Sequence, residues 1–222
     1  MKAMILAAGR GERMRPLTDN TPKPLLKVRG KALIVWLIES LAAANIRDIV
    51  INHAHLGQAI EGALGDGSTW NVRIAYSPER EALETAGGIA KALPLLGNDP
   101  FIVVNGDIFC DYDFSRLETR TLGADLARLL LVPNPPQRPA GDFHLDNGRV
   151  SSSGESAGVR TFAGIGLYAP QLCSASPRGA RAPLAPLLRG AMAAGRVGGE
   201  LHAGAWHDVG TPERLRELDA GT

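Results

Sequence analysis

Residues 2–26 read KAMILAAGRGERMRPLTDNTPKPLL, and the rest of the chain is interpreted outward from them. Ala3, Met4, Ile5 and Leu6 have the apolar character of a buried strand, which runs directly into Gly9, Gly11 and a basic loop. Glycines let the backbone approach a polyanion and aim successive N–H groups at it, while Arg10, Arg13, Arg15 and Lys23 add side-chain charge. Pro16, Pro22 and Pro24 stiffen a loop that otherwise has no reason to be so basic. The stretch reads as a phosphate cradle, and the expected ligand is a nucleoside triphosphate.

Two familiar glycine loops do not fit it. A dinucleotide fingerprint requires a third glycine where Met14 stands, and a P-loop requires four residues between its glycines where Arg10 alone stands.

The chain has 222 residues, enough for one large domain with a sizeable core. We expect one domain over 1–222, with a nucleotide-binding half at 1–110 and a sugar-binding half at 111–222. Twenty-four basic and 23 acidic residues leave a formal charge of +1. No global field therefore draws nucleic acid or an anionic membrane, and neither is an expected partner. The positive charge is local: within residues 2–31, Glu12 and Asp19 are the only acids among many lysines and arginines. Cys110 and Cys173 are too few for a disulfide framework and read as free buried thiols. Without a leader-like segment or a long apolar run, the expected location is cytoplasmic.

Short apolar runs alternate with helix-period segments through the first half, the pattern of a doubly wound, Rossmann-like, mostly parallel α/β sheet. Strands are expected at 2–7, 48–52, 72–76 and 101–104. Helices are expected around Leu33, Leu37 and Leu41, around Leu56, Ile60 and Leu64, and over 86–93. In such sheets ligands bind beyond the carboxyl ends of the strands, where strand order reverses. Gly9 and Gly11 follow one such end; Asn105, Gly106 and Asp107 follow another. The second half promises strands at 126–132 and 161–168. A small hairpin turned by Asp146, Asn147 and Gly148 reads as a sugar-binding insertion. Thr211 and Pro212 should start a last helix with Leu215 and Leu218 inward.

LAAGRGERMRPLTDNTPKPL resembles the signature of the sugar-phosphate nucleotidylyltransferases, which make nucleotide-activated sugars. The resemblance continues through LETAGGI from Leu83, VNGD from Val104 and WHDVGTPERL from Trp206, so it covers nearly the whole chain. INHAHLG, YSPERE and GDIFCDYDF are most similar to the short bacterial members that transfer uridylyl groups to N-acetylmuramic acid 1-phosphate in cell-wall sugar recycling.

The resemblance implies UTP and a sugar 1-phosphate as substrates and Mg2+ as cofactor. It makes Arg13, Lys23 and Asp107 catalytic and gives the metal to Asp107 and Asp208. It places the nucleotide on Leu6, Ala8, Gly9, Gly11, Glu12, Arg13, Lys23, Glu79, Thr85 and Gly88, and the sugar on Asn105, Gly141, Glu155 and Thr161. Two carboxylates completed by substrate phosphates suit magnesium, which prefers few protein ligands and hard oxygen. Such a reaction needs positioning and charge compensation rather than a covalent nucleophile.

Where many relatives carry a glutamine and, five residues on, a glycine, this chain has Glu79 and Glu84. A carboxylate accepts from uracil N3–H and equally from guanine N1–H, so guanylyl transfer to a heptose or mannose 1-phosphate is the alternative. A non-catalytic nucleotide-binding regulatory subunit is the alternative of another class. His53 and His55 lack acid or thiol partners in the sequence and receive no role.

Overall fold

In the computed structural model, which describes residues 1–152 and 158–221, the opening apolar run becomes β1 (Lys2–Leu6). The basic loop and a small ribbon, β2 (Lys27–Val28) with β3 (Lys31–Ala32), lead to α1 (Leu33–Ala43). Then come β4 (Asp48–His53), α2 (Gly57–Leu64), β5 (Arg73–Pro78), α3 (Glu84–Leu96) and β6 (Phe101–Asn105). The second half contributes β7 (Ile108–Cys110), α4 (Ser115–Glu118), β8 (Ala127–Val132), β9 (Phe143–Asp146), β10 (Arg149–Ser151) and β11 (Val159–Tyr168). It ends with α5 (Gln171–Ser174), α6 (Leu184–Ala193), β12 (Val197–Leu201), β13 (Trp206–Asp208) and α7 (Pro212–Ala220).

Nine strands form one sheet in the order β5-β4-β1-β6-β11-β8-β12-β10-β9. The first four are mutually parallel, so their carboxyl ends share an edge. After β1 the chain winds outward through β4 and β5, then crosses back to lay β6 on the other flank of β1. Strand order therefore reverses between β1 and β6, the crevice where such sheets take ligands.

Alternation along the strands divides the core into two layers, as a doubly wound sheet requires. Ala3 and Ile5 of β1, Ile49 and Ile51 of β4, and Ile102 and Val104 of β6 face α1 and α2 in one cluster. Met4, Val50, Phe101 and Val103 face the other way, against Ala86, Ile89 and Ala90 of α3 and Leu184 and Leu188 of α6. Strands buried on both faces explain the nearly continuous apolar runs in the sequence.

The sheet is mixed rather than mostly parallel in its second half. β11 runs antiparallel to both β6 and β8, and β10 runs antiparallel to β12 and β9. Strand β12, parallel to β8, was not expected from its sequence, because Gly198 and Gly199 carry no strand signal. A Cβ at Gly199 would lie 2.4 Å from Val150 Cγ2 and 3.2 Å from Leu129 O, so glycine is needed there for close packing. The hairpin exists as expected, with Asn147 at φ 45° and Gly148 at φ 76° in a two-residue turn. It forms the far edge of the main sheet.

A third cluster joins the two ends of the chain. Met14, Leu26, Val28 and Leu33 pack with Val209, Leu215 and Leu218. Helix α7 begins as expected: the Thr211 hydroxyl accepts from the Arg214 N–H at 3.4 Å, with Pro212 at the first helical position. Among the described residues no helix is long and apolar enough to cross a membrane.

Gly106 donates its N–H to Leu6 O at 2.9 Å, and a Cβ there would lie 2.8 Å from that same oxygen. Gly106→Ala should therefore force β1 and β6 apart and cost about 1–3 kcal/mol, read as a lower urea midpoint. Both cysteines are free, and burial pushes the thiol of Cys110 up to about 11 and that of Cys173 up to about 12. Only Cys173 is buried as expected, Cys110 being partly exposed, so Cys173 should not react with a thiol reagent until the protein is unfolded, while Cys110 should react slowly in the folded protein.

Candidate active site

Beyond β1 the backbone is tied down on both sides. The Ala7 N–H donates to Asn52 Oδ1 at 2.9 Å, across to the end of β4, while Leu6 O takes the Gly106 N–H on the β6 side. Gly11 then adopts φ 70°, in the left-handed region that glycine occupies readily, and a one-turn helix over Glu12–Met14 follows. Met14 is fully buried in the third cluster. Its anchoring, worth about 1.5–3 kcal/mol of burial, fixes where its neighbour Arg13 emerges.

A cleft of about 390 Å³ opens over this loop. Leu6, Ala8, Gly9, Gly11, Glu12, Arg13, Lys23, Thr85, Asn105 and Asp107 all line it, as does Gly210 from the far end of the chain. Lys23, whose side chain is 11% exposed, forms an ion pair with Asp107 Oδ2. Asp208 is brought alongside by a short antiparallel ribbon in which β13 pairs with β7, placing Asp208 opposite Ile108. The Val209 N–H donates to Asp107 O at 3.0 Å. A Cβ at Gly210 would lie 3.0 Å from Arg214 Nη1, 3.3 Å from Arg13 Nη2 and 3.4 Å from Asp208 Oδ1. Two guanidinium groups and a carboxylate thus converge around Gly210. Arg13, Lys23, Asp107 and Asp208 are brought together.

Of the four loop cations expected to serve the cradle, two face the cleft. Arg10 is turned to Glu12 at 2.8 Å and to His55 Nδ1 at 3.0 Å; Arg15 pairs with Asp19 at 2.7 Å. Each finds a local partner in the exposed loop, whereas Arg13 has no ion-pair partner among the described residues. His53 is equally committed, its Nε2 lying 2.7 Å from Glu61 Oε1. His207, beside Asp208, has its pKa lowered by burial and then by Arg29, so the imidazole is neutral at pH 7.

Glu79 and Gly88 lie behind the cleft wall. The Glu79 carboxylate accepts from Asn52 Nδ2 at 2.7 Å and from the Leu83 N–H at 2.8 Å, and is buried. A Cβ at Gly88 would meet Asn52 Nδ2 at 2.8 Å and Glu79 Oε1 at 2.9 Å, so this glycine makes room for that pair. Asn52, which sequence reasoning missed, carries the restraint forward to Ala7. A polar residue at the carboxyl end of β4, beside β1, was the available signal.

The sugar-side residues divide in the same way. Asn105 lines the cleft, and Gly164 at φ 72° makes room for it: a Cβ there would lie 2.6 Å from Asn105 Nδ2. Gly141 and Thr161 converge instead on Asn134, which donates to Pro139 O and Val159 O at 3.2 Å and accepts from Thr161 Oγ1 at 3.1 Å. A Cβ on Gly141 would lie 2.7 Å from Asn134 Oδ1. Glu155 lies outside the described residues.

The nucleotidyl transferase family matches residues 2–150. The chain belongs to that family. It is 55% identical to an N-acetylmuramate α-1-phosphate uridylyltransferase of Neisseria meningitidis serogroup B, over 99% of this chain and 97% of the relative. A protein of the same name from Caulobacter vibrioides is 35% identical over 98% and 95% of the two chains. Among solved structures, one assigned as a glucose-1-phosphate thymidylyltransferase from Bacillus anthracis superposes with a TM-score of 0.86 at 25% identity, covering 99% and 94%.

Removing the Glu79 carboxylate should strand two buried donors. Glu79→Ala is expected to lose about 1–3 kcal/mol in chemical denaturation, and Glu79→Gln less, since its carbonyl still accepts from Asn52.

Proposed function

We propose that this chain transfers a uridylyl group from UTP to N-acetylmuramic acid 1-phosphate, giving UDP-N-acetylmuramic acid and pyrophosphate. The convergence of Lys23, Arg13 and Asp107 on one cleft at the strand-order reversal, with Asp208 beside it and 3.6 Å from Arg214, carries the reading. The similarity over nearly the full length of two uridylyltransferases supports the choice of base and sugar.

In the reaction a phosphate oxygen of the sugar 1-phosphate attacks the α-phosphorus of UTP in line with the departing pyrophosphate. One phosphorus–oxygen bond forms, the α–β bridging bond breaks, and its electron pair leaves on pyrophosphate. The loop N–H groups from Gly9 to Arg13 cradle the triphosphate, and the planar fork of Arg13 holds the β and γ phosphates. Lys23 lies against Asp107 and offsets charge on the α-phosphate as it redistributes. Positioning of both reactants by rigid elements supplies much of the remaining acceleration.

Asp107 and Asp208 are the residues that would hold Mg2+. Their chemistry fits: two carboxylates supply hard oxygen ligands and leave coordination positions for phosphate oxygens. When bound, the ion would bring both substrates' phosphates together and neutralise part of their charge. We assign 1–110 mainly to the nucleotide and 111–222 mainly to the sugar, within a single domain over 1–222, with the hairpin flanking the sugar side. Cytoplasmic UTP supplies the donor, and the product is an activated cell-wall sugar.

A grid of nucleoside triphosphates against sugar 1-phosphates, with magnesium present and pyrophosphate release as readout, tests the reading. The UTP and N-acetylmuramic acid 1-phosphate pair should exceed every other pair; a GTP and mannose or heptose 1-phosphate optimum would replace it. Asp107→Asn and Lys23→Ala should each lower kcat by about 10²–10³-fold with the fold intact by circular dichroism. Near-full turnover in either variant would remove the assigned role.

A further inference from the structure

A second cavity of about 510 Å³ opens from the first and shares Leu6, Glu84, Thr85 and Asn105 with it. Its floor is aromatic: the rings of Phe143 and Phe162 lie 6.4 Å apart, with Tyr168 beside them. A sugar whose phosphate sits at Asn105 and Asp107 would lie across that floor.

Four charged side chains line this cavity: Glu84, Arg138, Asp142 and Arg189. Three of them are committed. Glu84 Oε1 lies 3.2 Å from Arg181 Nη2. Arg138 Nη1 lies 3.4 Å from Asp142 Oδ2, which also takes the Phe162 N–H at 2.9 Å. Arg189, on α6 next to the lining residue Leu188, has no carboxylate partner among the described residues. Among the described residues, Arg189 is thus the one charged side chain of this cavity without an ion-pair partner.

A neutral sugar offers a guanidinium at that wall only hydroxyl and amide oxygens, whereas a carboxylate also offers charge. N-acetylmuramic acid differs from N-acetylglucosamine by a lactyl ether on O3, which ends in a carboxylate ionised at neutral pH. Discrimination between the two 1-phosphates must be built on that substituent, and a planar guanidinium pairs with a carboxylate through two parallel N–H donors. We infer that Arg189 is the specificity-determining residue that anchors the carboxylate of the sugar substrate. The inference rests on the function proposed above and deepens it.

The test compares kcat/KM for N-acetylmuramic acid 1-phosphate and N-acetylglucosamine 1-phosphate, each with UTP, in the wild type, Arg189→Ala and Arg189→Lys. Arg189 is exposed on a helix where alanine is well accommodated, so folding survives the change. Arg189→Ala should lower kcat/KM for the carboxylated sugar by about 10–100-fold, mainly through KM, and leave the other sugar within about twofold. Arg189→Lys should fall between, because it keeps the charge and loses the fork. If the wild type prefers the carboxylated sugar and Arg189→Ala keeps that preference, or slows both sugars equally, Arg189 is not the anchor and the proposed function stands. If the wild type shows no preference for the carboxylated sugar, the proposed function fails and this inference fails with it.

Discussion

The site depends on the parallel pairing of β1 with β6, which sets Leu6 opposite Asn105. The two strands belong to distant parts of the chain, yet the register leaves no freedom in how their exits meet. The Gly106 N–H closes onto Leu6 O in the step after the last ladder pair. From there the two chains diverge, one into the glycine and arginine loop, the other into Asp107. A crevice at a strand-order reversal is a property of the topology. Here it places loop N–H groups and a carboxylate on the same cleft without either element having to bend toward the other.

A loop rich in arginine and proline would still be a poor catalyst if it moved. Its order comes from below: Met14 and Leu26 are buried against Val209, Leu215 and Leu218, so the carboxyl-terminal helix braces the amino-terminal loop. The same contact brings Gly210 to the cleft and sets Asp208 beside it. One apolar cluster thus places Arg13 and the second carboxylate together, and this coupling of distant segments preorganises the electrostatics. Solvated charge in the same loop is spent locally, as Arg10 and Arg15 show by pairing with Glu12 and Asp19.

The first half of the fold was legible because its strands are buried on both faces and its helices carry long apolar stripes; β1, β4, β5, β6, α1 and α2 fall close to their expected spans. Helix α3 runs past Pro94, where the sequence had suggested a stop, and starts at Glu84 rather than Ala86. The second half was harder because glycine pairs in β12 erase strand character and antiparallel insertion of β11 is not a local property. At the site, residues that line the cleft were readable from their chemistry. Those that act through another side chain, such as Asn52 and Asn134, were not, since hydrogen bonds between distant segments leave no periodic trace. The second cavity was invisible for the same reason: Arg138, Phe162, Tyr168 and Arg189 come from separate elements.

The two departures from the relatives' pattern resolve differently once their surroundings are known. Glu79 is committed to support, holding Asn52 and the turn at Leu83, and its carboxylate is buried behind the cleft wall. Glu84 lies where the two cavities join and has φ 60°, a left-handed conformation that costs a residue with a side chain about 1–2 kcal/mol and glycine almost nothing. A glycine there would remove that cost. The exposed contact with Arg181 is too weak to offset it, because ion pairs in water contribute at most about 1 kcal/mol. Glu84 therefore keeps a strained backbone at the junction of the two cavities, both of which it lines.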